Sequence, residues 1–248
     1  MIMYTSGTSS LFSLGIGGAA TPPKVSKLID QKLPQNFSGT GWGMTETNAQ
    51  GASLTGKAFF YKPGSAGFPA PIVDIRICDE QGEALPEGDT GEIWVRSCAN
   101  ISEYWHRPEA NREEFRDGWL KTGDIGYLDD EGFLFLADRA KDMIIRGGEN
   151  IYPRQVEELL FKHDAVGDVA VVGLPSERMG EEVGAFLRAA PGQTINKDQL
   201  FAYLREQLSP QKTPRFWFEV EEYPLTGSGK IQKFALRQQW LDGQHTEI

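Results

Sequence analysis

The chain has 248 residues, 40% of them apolar and 24% charged, enough for one large domain or two smaller ones with cores of their own. Its net charge of −10 and pI near 4.9 argue against nucleic acid as a partner, because phosphate backbones need a basic face. No apolar run approaches the roughly 18 residues of a membrane span, and Leu11 to Ala20 is broken by glycines and lacks the basic start of a signal peptide.

The two cysteines, Cys78 and Cys98, fall in separate strands, so neither a disulfide framework nor a metal site follows, and a reducing cytosol is the expected compartment. His106, His163 and His245 lie far apart, without ligand spacing.

At the front, Thr5, Ser6, Gly7 and Thr8 set small hydroxyl residues around a glycine. The plain reading is a polar terminus; the chemical one is a phosphate wrapped by amides and hydroxyls. Leu14 to Ala20 predicts a strand running into a glycine turn that holds Gly18, Ala19 and Ala20, and Pro22-Pro23 open a helix to about Lys32. In Gly39 to Thr47 the glycines permit tight backbone, Trp42 offers a flat face, Thr45 a hydroxyl and Glu46 a hard oxygen ligand. Taken alone, that segment is more often a structural turn with a core tryptophan. Gly64 to Pro71 predicts a loop, Ile72 to Cys78 an alternating strand, Glu83 to Asp89 an acidic loop and Gly91 to Ser97 a second strand. Pro108 suits the first turn of a short helix through Glu114.

The chain is organised around residues 117–154, DGWLKTGDIGYLDDEGFLFLADRAKDMIIRGGENIYPR. Strands are predicted at Asp124 to Leu128 and Phe133 to Ala137, joined by the hairpin turn Asp129 to Gly132. Asp124, after a Thr-Gly turn, is either a turn cap or a ligand. Asp138-Arg139-Ala140-Lys141-Asp142 is densely charged, and the apolar triplet Met143 to Ile145 and a loop, Arg146 to Asn150, follow it. Such charge beside the paired glycines Gly147 and Gly148 suits a hinge next to a phosphate-containing ligand better than a core element.

Beyond it, Pro153 to His163 is an amphipathic helix with Val156, Leu159, Leu160 and Phe161 at helical spacing. Strands are predicted at Asp168 to Leu174, Val183 to Ala190 and Phe216 to Val220, and Asn196 caps a helix to Leu208. This alternation predicts a compact α/β unit whose sheet is partly antiparallel. The last motif, Glu222 to Ile231, sets Lys230 behind two glycines and a serine. A mobile loop with a cation at its tip is expected there, although most such lysines are solvated surface.

Together these motifs resemble the signature of adenylate-forming enzymes: the acyl-CoA synthetases, luciferases and peptide-synthetase adenylation domains. That family has Trp-x-x-Thr-Gly-Asp, then Asp/Gly-Arg-x-Lys/Asp-Asp, then Gly-Gly-Glu-Asn-Ile-x-Pro. Here they stand as Trp119, Thr122-Gly123-Asp124, Asp138 to Asp142 and Gly147 to Pro153. The resemblance implies an α/β fold of mixed α+β character. Residues 1–138 would be part of the large AMP-binding domain with a β-layer, and residues 139–248 a small α/β lid, with a hinge near Lys141.

The resemblance also implies roles. Thr5 to Thr8 match the phosphate loop, Gly18 to Ala20 lie against adenine, and Trp42 stacks the base. Thr45 touches phosphate and Glu46 the Mg2+. Asp124 accepts from both ribose hydroxyls, a task suited to an acceptor-only carboxylate with two oxygens. Arg139 reaches the nucleotide, and Lys230 closes over the carboxylate and α-phosphate. Gly147 and Gly148 border a thiol channel, and Arg215 contacts CoA phosphate. The implied activity is an ATP-dependent acid–CoA ligase with a small-molecule carboxylic acid, ATP and CoA as partners; a fatty acid is the first choice, and no nucleic acid is expected. Gly-Gly-Glu-Asn-Ile-Tyr-Pro favours the CoA enzymes over peptide-synthetase domains. Where the family has Gly-x-Pro-Lys-Gly after the phosphate loop, the chain has Ser10-Leu11-Phe12-Ser13-Leu14. The chain therefore reads as the second half of such an enzyme with a loop remnant at its front. The competing expectation is a non-catalytic remnant with residual nucleotide or partner binding.

Overall fold

The computed structural model describes residues 11–17, 23–33, 37–227 and 229–248. The fold is mixed α/β, and the chain divides into two compact units, Met1–Ala137 and Asp138–Ile248.

In the first unit, β1 (Ser13–Ile16), α1 (Pro23–Lys32), β2 (Phe37–Trp42), β3 (Ala52–Thr55), α2 (Lys57–Tyr61) and β4 (Phe68–Pro69) come first, and their strands form a sheet of order β1-β2-β3-β4. β1 runs parallel to β2, and the other pairs are antiparallel. The segment around Gly39 and Gly41, read from sequence as a tight turn, is a strand up to Trp42. Glycines carry no hydrophobic alternation, so only its pairing partners reveal it as a strand.

A second sheet follows, from β5 (Val73–Cys78), β6 (Gly91–Ser97), α3 (Pro108–Glu114), β7 (Phe115–Arg116), β8 (Trp119–Leu128) and β9 (Leu134–Arg139). Its order is β5-β6-β8-β7, with β9 also on β8. The β8–β9 turn is closed by Asp129, whose Oδ1 accepts from the N–H of Glu131 at 3.0 Å and of Phe133 at 2.9 Å. Lys62 pairs with Asp129 at 2.8 Å. Trp42 and Ala52 from the first sheet share a core with Val73, Ile77, Ile93, Val95 and Leu134 from the second. Trp94 points the other way, as alternation requires, and clusters with Cys78 and Trp119. The guanidinium groups of Arg76 and Arg96 lie over the Trp119 ring at 4.3 and 4.6 Å.

The second unit holds β10 (Ile144–Arg146), β11 (Glu149–Ile151), α4 (Pro153–Leu160), β12 (Val166–Ser176), β13 (Gly180–Ala189), α5 (Lys197–Arg205), β14 (Phe216–Glu219) and α6 (Lys233–Leu241). The sheet order is β11-β10-β13-β12, and β14 adds in parallel to β13. One face, with Val169, Val171, Val183 and Leu187, packs on Val156 and Leu160 of α4 and Leu200 and Leu204 of α5. The other face, with Ala170, Val172, Leu174 and Phe186, packs on Leu236 and Trp240 of α6. Helices on both faces explain the nearly unbroken apolar run of β12, which a one-sided sheet would not need. Truncating a fully buried residue such as Leu160 to alanine should cost about 2–5 kcal/mol.

Further local details differ from the sequence reading. The expected loop Arg146 to Asn150 is a tight hairpin, with Arg146 paired to Glu149 and Ile144 to Ile151. Gly147 and Gly148 make its turn at φ 60° and 86°, the left-handed region that suits a two-residue hairpin. The helix after Asn196 ends at Arg205 rather than Leu208, although Asn196 does cap it, accepting from Gln199 N–H at 3.0 Å. Helix α6 was not anticipated at all.

Candidate active site

The Thr-Gly-Asp motif sits on an irregularity of β8. Glu92 pairs with Ile125 and Trp94 with Lys121, so Ile93 alone faces Thr122, Gly123 and Asp124. Such a bulge redirects side chains and is frequent beside active sites. Local bonds hold it: Thr122 Oγ1 donates to Ile93 O at 2.7 Å, Asp124 N–H donates to Thr122 Oγ1 at 3.1 Å, and Gly123 N–H donates to Glu92 Oε1 at 3.2 Å. Asp124 is thereby brought to Trp42 at the end of β2, whose Nε1–H donates to Asp124 Oδ2 at 2.7 Å. The Trp42 indole is 8% exposed and packed in the core, so a base stacking on it would use the small area left. Gly51 allows this packing, since a Cβ there would lie 2.2 Å from Trp42 O.

Three residues past Trp42 the chain makes a short 3-10 turn, Thr45–Thr47, in which Thr45 is exposed and Glu46 partly buried. Thr47 Oγ1 accepts from Met44 N–H at 3.2 Å and donates to Met44 O at 3.1 Å. A neighbouring loop ties the turn down. Asn48 Nδ2 donates to Ala99 O at 2.7 Å, Ile101 N–H donates to Glu46 O at 2.8 Å, and the Tyr104 hydroxyl donates to Glu46 Oε1 at 3.1 Å. Burial, together with Glu46, pushes the Tyr104 phenol up to about 12. Tyr104 escaped the sequence reading because nothing local marks it; it meets Glu46 only through the fold. A lone, half-buried carboxylate is the donor set that holds Mg2+ when phosphate oxygens and water complete the shell, so Glu46 fits that ion. Among the described residues the one dense acidic group is Asp129, Asp130 and Glu131, and Lys62 already pairs with two of its members.

In the second unit Arg139 ends β9 with its N–H donating to Asp138 Oδ1 at 2.8 Å, and Lys141 lies exposed in a 3-10 turn, Ala140–Asp142. Gly147 and Gly148 form the β10–β11 turn. The flanking Arg146 is paired with Glu182, which is almost fully buried. Arg215 is exposed at the start of β14, with its N–H donating to Val183 O at 2.8 Å. Lys230 is exposed, but its backbone is held. Thr226 N–H donates to Lys230 O at 2.8 Å, Lys230 N–H donates to Thr226 Oγ1 at 3.1 Å, and Leu225 bridges Ile231. The expected mobile loop is thus a closed turn at its base. Just beyond it, Lys233 Nζ pairs with Glu157 Oε1 at 2.7 Å. Thr5, Ser6, Gly7, Thr8, Gly18, Ala19 and Ala20 lie outside the described residues.

A bulged strand presenting Thr-Gly-Asp to an aromatic–Gly–x–Thr–Glu turn defines the class of adenylate-forming enzymes. The AMP-binding enzyme family model matches residues 4–105, and the model for the AMP-binding enzyme C-terminal domain matches residues 155–230. The chain belongs to this family. It is 38% identical over 241 residues to a long-chain-fatty-acid–CoA ligase of Bacillus subtilis (strain 168), covering 96% of this chain and 42% of the relative. A feruloyl-CoA synthase of Amycolatopsis sp is 42% identical over 234 residues, covering 94% and 47%. Among solved structures, the o-succinylbenzoate CoA synthetase of Bacillus subtilis in complex with its acyl-adenylate intermediate matches with TM-score 0.84 and 34% identity, over 92% of this chain and 46% of that one. The amide bond synthetase McbA of Marinactinospora thermotolerans matches with TM-score 0.86 and 35% identity, over 95% and 48%. The chain spans about half the length of the curated relatives it matches. Among the described residues no helix is long and apolar enough to cross a membrane.

Proposed function

We propose that the chain carries the nucleotide-gripping and lid parts of an ATP-dependent acid–CoA ligase. The observation that supports this most directly is the bulge that sets Asp124 against Trp42. In the proposed reaction a carboxylate oxygen attacks the α-phosphorus of ATP and pyrophosphate leaves. A thiol sulfur then attacks the acyl carbon, and AMP leaves. Asp124 receives the ribose hydroxyls, a task suited to an acceptor-only carboxylate with two oxygens. Thr45 contacts phosphate. Glu46 would hold Mg2+, which supplies charge neutralisation at the phosphates. Lys230 places a point charge between two approaching anions, the step where such a charge counts most. Arg139 contacts the nucleotide, Lys141 is the hinge, Gly147 and Gly148 line the thiol path, and Arg215 meets CoA phosphate. Thr5 to Thr8 and Gly18 to Ala20 keep their proposed places at the phosphates and adenine. The acid proposed is a fatty acid, on the look of the segment Gly41 to Asn48.

A second reading is favoured by one sequence observation: Ser10-Leu11-Phe12-Ser13-Leu14 replaces the lysine-bearing part of the phosphate loop, and Ser13–Ile16 is strand β1. On that reading the chain binds nucleotide without catalysing adenylation. Calorimetry with AMP and a non-hydrolysable acyl-adenylate mimic tests the shared core of both. Micromolar binding that weakens in Asp124→Ala is expected, and no binding of either ligand would sink both. Pyrophosphate exchange with fatty and aromatic acids separates them.

A further inference from the structure

We infer that Tyr104 is a positioning residue that orients the Glu46 carboxylate toward a cation; this rests on the reading of Glu46 as the metal contact. The turn Thr45–Thr47 is only three residues long, too short to fix a glutamate side chain by itself. Its orientation comes from outside. Tyr104 Oη donates to Glu46 Oε1 at 3.1 Å, and Ile101 N–H holds the Glu46 carbonyl at 2.8 Å. Tyr104 is itself anchored. Its N–H donates to Asn111 Oδ1 at 2.7 Å, its carbonyl accepts from Asn111 Nδ2 at 3.1 Å, and its ring meets Phe115 edge-on at 5.8 Å. The phenol is therefore fixed to α3 and its flanking strand, and it arrives at Glu46 with its position already set.

The division of the carboxylate is the second part of the argument. Oε1 is occupied by the phenol, while Oε2 has no hydrogen-bond partner among the described residues. A carboxylate with one oxygen bonded to a rigid donor loses rotamer freedom and presents the other oxygen in one direction. Hydrogen-bonded outer partners orient metal-ligating carboxylates in this way, and removing such a partner typically weakens metal binding about 10- to 100-fold.

The test compares two ligands on the full chain. AMP in EDTA reports the Trp42–Asp124 part of the site, and ATP titrated with Mg2+ reports Glu46. Tyr104→Phe is expected to weaken Mg2+-dependent ATP binding at least about tenfold while shifting AMP affinity by less than about twofold. In a Glu46→Gln background the same change should add almost nothing, because the two residues act as one unit. Equal weakening of both ligands, or full additivity with Glu46→Gln, would overturn the inference and leave Tyr104 a plain structural contact. Failure of the unmodified chain to bind AMP would overturn the nucleotide reading, and the inference with it. AMP binding without any Mg2+ enhancement of ATP binding would remove the metal role of Glu46 alone, which also overturns the inference.

Discussion

The indole nitrogen of Trp42 lies 2.7 Å from Oδ2 of Asp124, a bond that joins positions 82 residues apart. Breaking it has two separable consequences. Asp124→Ala should weaken AMP binding by about 1.5–3 kcal/mol, roughly 10- to 150-fold, through loss of charge-assisted bonds to the ribose. It should also destabilise the first unit by about 1–3 kcal/mol, because a buried indole N–H is left without an acceptor. Asp124→Asn keeps an acceptor for Trp42 but loses the charge. Calorimetry and thermal unfolding of the two variants should show stability largely restored in Asp124→Asn and affinity still reduced. Unchanged AMP affinity in both would end the ribose assignment.

The second unit should lose stability on mild acidification. His245 sits edge-on to Phe186 at 5.0 Å and is tilted against Phe218 at 6.0 Å. Burial holds its pKa below the ordinary 6.5. The folded chain then takes the proton less readily than the unfolded one. Stability is complete above 6.5 and declines as pH falls from there toward the lower folded value. Thermal unfolding followed across this range should show the decline in the unmodified chain and its loss in His245→Gln. An identical slope in the variant would show that other groups cause it.

The β10–β11 turn should tolerate side chains poorly. Gly148 is at φ 86°, where a Cβ is strained even though nothing crowds it within 4 Å. Gly148→Ala should therefore cost about 1–2 kcal/mol, read as a lowered unfolding midpoint. Gly147→Ala adds a contact of 2.6 Å to the end of the Met179 side chain, which can move aside. The two substitutions should thus have similar effects, set by backbone strain in both cases.

Lys230→Ala, in a protein that forms the acyl-adenylate, should lower pyrophosphate exchange about 10²- to 10³-fold, as loss of a preorganised charge at a reacting centre does. Thioester formation from preformed acyl-adenylate should change little, since the role proposed for the lysine is confined to the first step. For the 248-residue chain alone, exchange is expected at background with every fatty acid. Positioning can account for about 7–11 kcal/mol of a barrier, and the lysine-bearing phosphate loop that would do it is replaced. Robust, Lys230-dependent exchange by this chain would show it to be a working ligase as it stands.

Bonds that close within a few residues were readable from the amino-acid order alone. Asp129 accepts from the amides two and four positions on, Asn196 caps the helix that follows it, and Pro108 opens α3. These are contests between a side chain and its own nearby backbone, so residue type and spacing settle them. The family motifs were legible for the same reason, as short runs of fixed order. What the tertiary structure alone decided lies between distant segments. Trp42 reaches Asp124, Tyr104 reaches Glu46 across 58 positions, and the Thr122–Asp124 bulge exists only because β6 offers one residue against three. Helix α6 likewise gains its meaning from the sheet face it covers with Leu236 and Trp240. Strand order, register and the choice of which face is buried determine these contacts. They emerge from the packing of the whole chain, because no single window of sequence contains both partners.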